Sequence, residues 1–400
     1  MGKFLAEDEH SIEIFRQYLQ LKTVQPNPDY NPAIRFLEDL AKEIELNFHS
    51  FEVYPKKPVA ILSWIGNEPS LPSVVLNSHI DVVPVFEEYW THPPFSAYRD
   101  ENGNIFARGS QDMKCVGIQY VEAIRRLKRN GYKPKRSIHL TFVPDEEIGG
   151  TLGMGLYVET DHFKSLNVGF ALDEGVASET DTYSVFNAER NPWWLKVSCK
   201  GNPGHGSRFI ENTAVEKAQK ILNKFMSFRD EQKQRLCEDD SLSLGDVISV
   251  NATQIHGGVQ VNVVPSEYVL HFDIRVPPNV DFQETENQFA NWIKSAGSDV
   301  TWEYVQQTKI SAITPTDESN IYWKAFETTM KDMGLKFRTS FFLGATDSRF
   351  LRERGIPAVN FSPMINTPIL LHDHNEFLND AVFVNGINIY VKLISGIATV

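Results

Sequence analysis

Six side chains in this 400-residue sequence are of the types that hold divalent metal ions: His79 in SHIDVVP, Asp112 in RGSQDMK, Glu146 and Glu147 in VPDEEIGG, Glu174 in ALDEG and His372 in LLHDHNE. Two imidazoles and four carboxylates form a mixed nitrogen and oxygen donor set that suits zinc. Manganese or cobalt fits such a set as well, whereas magnesium is disfavoured by the imidazoles. Two ions side by side would activate a water for hydrolysis, and one carboxylate can bridge a pair ~3.5–4 Å apart.

Each candidate also has a plain structural reading. His79 and Asp81 lie two apart on a strand, so their side chains share a face. Asp81 can then fix the ring while its other nitrogen meets a metal, but a buried histidine satisfied by a nearby acid gives the same pair. Asp112 precedes a helix expected from Met113 to about Arg129, where an aspartate can simply cap or complement the dipole. Asp145, Glu146 and Glu147 form an acidic run of the kind common in solvated loops. The following Gly149-Gly150 lets the backbone turn tightly enough to bring them into a cleft, one glutamate as ligand and its neighbour as base. His374 competes with His372 for the ligand role.

The elements that must position these groups follow from the periodicity. His79 follows VVLNS, Glu146 and Glu147 follow IHLTFVPD, and Glu174 follows VGFALD. Sites in α/β sheets gather beyond the carboxyl ends of strands, so residues far apart in sequence can converge there. From about Arg16 to Asp173, strand-like runs alternate with helical stretches, the pattern of a layered α/β domain. Trp193 to Gln306 reads instead as strand, long helix, two strands, helix and strand, the order of a ferredoxin-like βαββαβ unit. The long helix opens on a capping box, Thr213 with Glu216, and is expected to bury Val215, Ala218, Leu222 and Phe225. After Thr314 the helix-then-strand pattern returns, so the smaller unit reads as an insertion.

Composition bounds the function classes. A length of 400 residues predicts two or three domains, and 42% hydrophobic residues can fill more than one core. A formal net charge of −13 argues against non-specific nucleic-acid binding. The longest uninterrupted apolar runs fall far short of the ~20 residues that cross a bilayer. The amino terminus turns acidic before an apolar stretch can build up, so no secretory signal is expected, and Ala6 stands where a myristoylation signal has Ser or Thr. Cys115, Cys199 and Cys237 are widely spaced and odd in number, as expected of reduced thiols in the cytoplasm.

The stretches SHIDVVP, RGSQDMK, VPDEEIGG, ALDEG, GNPGHGS and LLHDHNE resemble, in order and spacing, the zinc aminoacylases of the aminoacylase-1 type, a family with relatives among two-zinc carboxypeptidases and dipeptidases. The resemblance runs along the whole chain. It departs from the family pattern at Ser110, Gly206 and Asn375, none of them a ligand position. It implies a zinc-exopeptidase-like catalytic domain in two parts, 1–187 and 311–400, with an inserted lid and dimerisation domain at 188–310.

By position, the resemblance implies a first zinc on His79 and Glu174, a second on Glu147 and His372, and Asp112 bridging them. Glu146 falls at the general base and Asp81 at the histidine-orienting acid. His205 is expected to come from the lid of a partner subunit to stabilise the oxyanion. The implied reaction is hydrolysis of N-acyl-L-amino acids, in amino-acid salvage, by a homodimer with two Zn²⁺ per subunit. Arg275 with Asn262 beside it, or Arg349, would bind the substrate carboxylate. A dipeptidase or carboxypeptidase of the same superfamily is the alternative, ahead of a non-catalytic binding protein.

Overall fold

Four parallel strands, Ile138–Val143, Ser73–His79, Val168–Asp173 and Ala358–Phe361, form the middle of an eight-stranded sheet. The computed structural model describes residues 4–400; residues 1–3, the start of the amino-terminal stretch searched for targeting signals, lie outside it. Ser73–His79 and Ile138–Val143 are buried along their entire lengths. Continuous Val, Ile and Leu runs are what a strand covered on both faces requires. The antiparallel pair Asn47–Tyr54 and Lys57–Trp64 borders the parallel strands on one side, and Thr182–Glu189 with Lys336–Phe342 on the other.

Helix Lys114–Arg129 crosses over between strands Ser73–His79 and Ile138–Val143. It packs against helices Ala6–Leu19 and Asp380–Ile397 and is almost wholly buried. It begins one residue later than expected, and its cap residue Met113 receives no side-chain cap, so Asp112 is not used as one.

Helix Asp380–Ile397 is long and apolar enough to cross a membrane by length and composition. Asn385, Asn388 and Lys392 interrupt its apolar run. Its residues Phe383, Ile387, Tyr390, Leu393 and Ile394 are buried in the main hydrophobic cluster, where they pack with Phe15, Val121 and Phe361. It is a core helix of this fold.

The chain divides into two compact units: 1–187 with 314–339 and 346–400, and 188–313 with 340–345. Sequence reading ended the inserted segment at 310 and left out 340–345. That short stretch joins the second unit through local contacts: the Arg190 main-chain N–H donates to the Phe342 carbonyl, and Gly245 lies directly against the Phe341 backbone.

Within the second unit, strands Ser249–Gly257, Glu267–Val276, Asn191–Lys200 and Val300–Gln307 lie in that order, every pair antiparallel. This is the arrangement of a ferredoxin-like βαββαβ unit. Its core gathers Trp193, Phe225, Phe272, Phe289 and Ile293. The capping box is present: the Thr213 hydroxyl caps the Glu216 N–H, and the Thr213 N–H donates to the Glu216 carboxylate at 2.8 Å. The buried stripe of that helix is Ala214, Ala218, Ile221, Phe225 and Phe228, while Val215 is 47% exposed. Starting the 3.6-residue period one position late put Val215 inside and overlooked Ile221.

His139, in the middle of a buried strand, gives a pH dependence. Burial, with a further push from His162, drives its imidazole down to about 4, while its Nδ1 sits 2.8 Å from the Ser63 hydroxyl. The folded protein therefore resists a proton that the unfolded chain takes up near its ordinary pKa of about 6.5. Stability should fall as pH drops from about 6.5 towards 4 and level off below. In His139→Gln this part of the slope should vanish, measured as the difference between the two proteins' urea unfolding free energies across that range. Parallel curves would show that His139 contributes nothing to it.

Candidate metal centre

The carboxyl ends of the parallel strands deliver the ligand candidates. His79 ends its strand, Glu174 directly follows Val168–Asp173, and Glu146 and Glu147 form a single 3₁₀ turn just after Ile138–Val143. Asp112 comes from the loop before helix Lys114–Arg129, and His372 from the loop before strand Phe377–Asn379.

These side chains form two triads that share one residue. Ligand atoms of His79, Asp112 and Glu174 lie within 4.8 Å of one another, as do those of Asp112, Glu147 and His372. The His79 Nε2 is 3.0 Å from Asp112 Oδ1 and 3.4 Å from Glu174 Oε2. The His372 Nε2 is 3.4 Å from Asp112 Oδ2 and 3.0 Å from Glu147 Oε2. Asp112 thus turns one oxygen towards each imidazole. His374 lies outside both triads, with its ring against Tyr89 at 5.0 Å.

Charge crowding sets the protonation in this cluster. Burial raises the Glu174 carboxyl well above the usual range, and repulsion from Asp112 adds to it. Glu146 is raised in the same way, by burial and by the charges of Glu174 and Glu147. Glu147 is pushed up to about 7 by burial and Asp112. Burial opposes charge on His79, but Glu174 and Asp112 overcome it and raise the imidazole well above its ordinary value. His372, bonded to Asp112 and Glu147, rises to about 10. Burial works against the Asp112 carboxylate too, yet the two histidines hold it well below the usual range.

The donor set fits a pair of divalent cations. Three carboxylates and two imidazoles supply three donor residues to each position, the count of an open hydrolytic zinc site. The Glu147 Oε1 is buried and has no hydrogen-bond partner, as expected of an oxygen reserved for an ion. The two positions differ in access, since the His79 side chain is 1% exposed and that of His372 56%.

Asp81 lies behind His79, but not as the spacing argument has it. The His79 Nδ1 is 2.8 Å from the main-chain oxygen of Asp81 and 3.7 Å from its carboxylate. The carboxylate instead accepts the main-chain N–H groups of Glu146 and Glu147, each at 3.2 Å. The backbone continues past His79 so that its own carbonyl, rather than the next side chain on that face, meets the ring.

Sequence reading missed Glu376. Its carboxylate is fully buried and accepts from the main-chain N–H of Gln111 at 2.6 Å, Gly109 at 3.1 Å and Asp112 at 3.3 Å, and from Arg108 Nη1 at 2.8 Å. It holds the whole Asp112 loop. Its place four residues after His372 was visible in LLHDHNE, but the loop it binds is more than 260 residues away. Asn375 bridges the same segment to another loop, accepting the Thr91 N–H at 2.7 Å.

The remaining candidates stand as follows. Arg349, in the first unit, donates to the carbonyl of Gly149 and covers the Phe350 ring at 4.8 Å, with no hydrogen bond to Asp347. In the second unit, Arg275 makes a two-point pair with Asp273, at 2.7 and 2.9 Å through Nε and Nη2. This pairing with an acid competes with the binding of a substrate carboxylate. His205 is exposed, on a short strand pair with Val263–Val264, and its Nδ1 accepts the Ser207 N–H at 3.2 Å. Asn262 lies beside it, its carbonyl accepting the Gly206 N–H at 2.8 Å.

Residues 75–396 match Peptidase family M20/M25/M40. The chain is 50% identical to human aminoacylase-1 over 395 residues, 98% of this chain and 97% of that protein. Against pig aminoacylase-1 it is 51% identical with the same coverage. Among solved structures, the Bacillus subtilis YXEP protein, a dinuclear metal-binding peptidase of family M20, superposes with a TM-score of 0.70 at 14% identity, covering 98% of both chains. The match spans most of the chain and half the residues are shared over nearly its full length: the chain belongs to Peptidase family M20/M25/M40.

Proposed function

We propose that the protein hydrolyses N-acyl-L-amino acids to a carboxylate and a free L-amino acid, with two zinc ions per subunit. The observation that carries the reaction type is Asp112, with one oxygen turned towards each histidine of two triads. Identity of about one half to proteins named aminoacylase-1 supports the substrate class.

In this reading His79 and Glu174 would hold one ion, Glu147 and His372 would hold the other, and Asp112 would serve both. Divalent ions held there would supply Lewis acidity to the attacking water and to the amide carbonyl. Glu146 takes the proton of the attacking water and returns it to the leaving amine. Because the Nδ1 of His205 accepts the Ser207 N–H, the neutral ring carries its hydrogen on Nε2 and offers it to the developing oxyanion.

The carboxylate of the substrate is assigned to Arg275, because among the described residues the pair with Asp273 leaves Nη1 of the guanidinium unengaged; Asn262 lies in the hairpin beyond the far end of that strand, beside His205 rather than Arg275. Arg349 is the second choice, since Gly149 and the Phe350 ring already engage it. His205 is assigned to the partner in a homodimer formed through the inserted unit. An edge strand, Ser249–Gly257, and the exposed Ile255, Val259 and Val261 give that unit a face for a second copy. A cytoplasmic location agrees with three free cysteines, two of them buried, and a place in amino-acid salvage follows from the free amino acid released by the proposed reaction.

Turnover of acetyl-methionine and other N-acyl-L-amino acids, set against free dipeptides and measured alongside metal content and sedimentation mass, tests this reading. Zinc well below two per chain with no amidase activity would sink it. Preference for free dipeptides would move the protein to the dipeptidases, and a sedimentation mass of one chain would remove the dimer.

Glu146→Gln should keep its zinc and lose ~10²–10⁴-fold in kcat; unchanged turnover would take the base role away from it. Glu376→Gln places an amide NH₂ against the N–H donors of the Asp112 loop. Zinc affinity, measured by competition with a chelator, should fall ~10–100-fold. Wild-type affinity would mean that the loop holds its place without this carboxylate.

A further inference from the structure

We propose that Lys57, Tyr30 and Gln25 are positioning residues that act through Asp145 to set the turn bearing Glu146 and Glu147, an inference that rests on the roles given to those two glutamates above. Asp145 has φ of +67°, in the left-handed region that a residue with a Cβ adopts when its surroundings hold it there.

What holds it is a convergence on one oxygen. Asp145 Oδ1 accepts from Lys57 Nζ at 2.7 Å, the Tyr30 hydroxyl at 2.9 Å and Gln25 Nε2 at 3.0 Å. All four side chains are more than nine-tenths buried. Two further links tie the network to the backbone of the turn. The Tyr30 hydroxyl accepts the Asp145 N–H at 3.3 Å. Gln25 Nε2 also lies 2.8 Å from Asp81 Oδ2, and the Asp81 carboxylate accepts the N–H groups of Glu146 and Glu147. The two glutamates therefore cannot shift without disturbing a bond of Asp145 or Asp81.

Stability alone is a poor account of this arrangement. A buried ammonium–carboxylate pair roughly breaks even against apolar residues of similar volume, because desolvation offsets attraction. What the pair adds is a fixed place for the main chain. Ile148 next along is 58% exposed, so its own side chain does not anchor the turn, whose far side is held by Arg349 at the Gly149 carbonyl.

Tyr30→Phe removes a single hydroxyl and keeps the ring. It should lower kcat about tenfold, with KM within about twofold of wild type, and shift the acid limb of the kcat–pH profile. Lys57→Met should lower kcat further and Lys57→Arg restore part of it. Because Glu147 sits on the same turn, one of two zinc ions should pass to a chelator about tenfold faster from Tyr30→Phe, with the thermal midpoint near wild type. If Lys57→Met does not fold, Tyr30→Phe decides. Wild-type kcat, pH profile and zinc release in a folded Tyr30→Phe overturn the proposal. A wild-type protein inactive on every N-acyl amino acid overturns the reading of the function instead, and zinc release still decides this one.

Discussion

Like charges forced together at the ends of four parallel strands govern the construction of this protein. Asp112, Glu146, Glu147 and Glu174 are gathered around His79 and His372, and burial together with mutual repulsion pushes the three glutamates towards protonation. Such a cluster spreads apart unless its backbone is held. The fold holds it with further carboxylates placed one layer back. Glu376 accepts the N–H groups of the Asp112 loop, Asp81 those of Glu146 and Glu147, and Asp173 Oδ1 that of Glu174 at 2.9 Å. In each case an acid grips the main chain of a ligand-bearing segment, so the ligand side chain stays free to face an ion.

This arrangement explains which parts were legible in the sequence. The candidate ligands could be found because each follows a hydrophobic strand or borders a distinctive loop, and local order records that placement. The supporting acids were harder. Asp81 was noticed, but strand periodicity assigned its carboxylate to His79, whereas the chain leaves regular strand geometry at that point. Glu376 meets its loop across more than 260 residues, and Lys57 from a strand and Gln25 and Tyr30 from the loop before helix Asn31–Glu43 reach Asp145 across 88 to 120 residues; no local pattern records such meetings.

The fold itself was read closely where amphipathic period and capping agree, and less well where they compete. The capping box at Thr213 was legible, yet the buried face of the same helix was read out of phase. The apolar helix Asp380–Ile397 escaped attention because polar residues on its outer side interrupt the run. The return of 340–345 to the second unit has no sequence signature at all, since contacts with Arg190 and Gly245 define it.

The position of strand Ala358–Phe361 has a consequence for biosynthesis. It lies between Val168–Asp173 and Thr182–Glu189 in the sheet, although the chain makes it long after both. As the polypeptide leaves the ribosome, most of the second unit, residues 188–313, emerges as one continuous segment and can form its own core. The first unit must wait with a gap in its sheet. His372 emerges later still, so the second triad is the last part of the centre to be made. Until then the nascent chain carries crowded acids and an open sheet edge, which makes this interval the period of greatest exposure to misfolding.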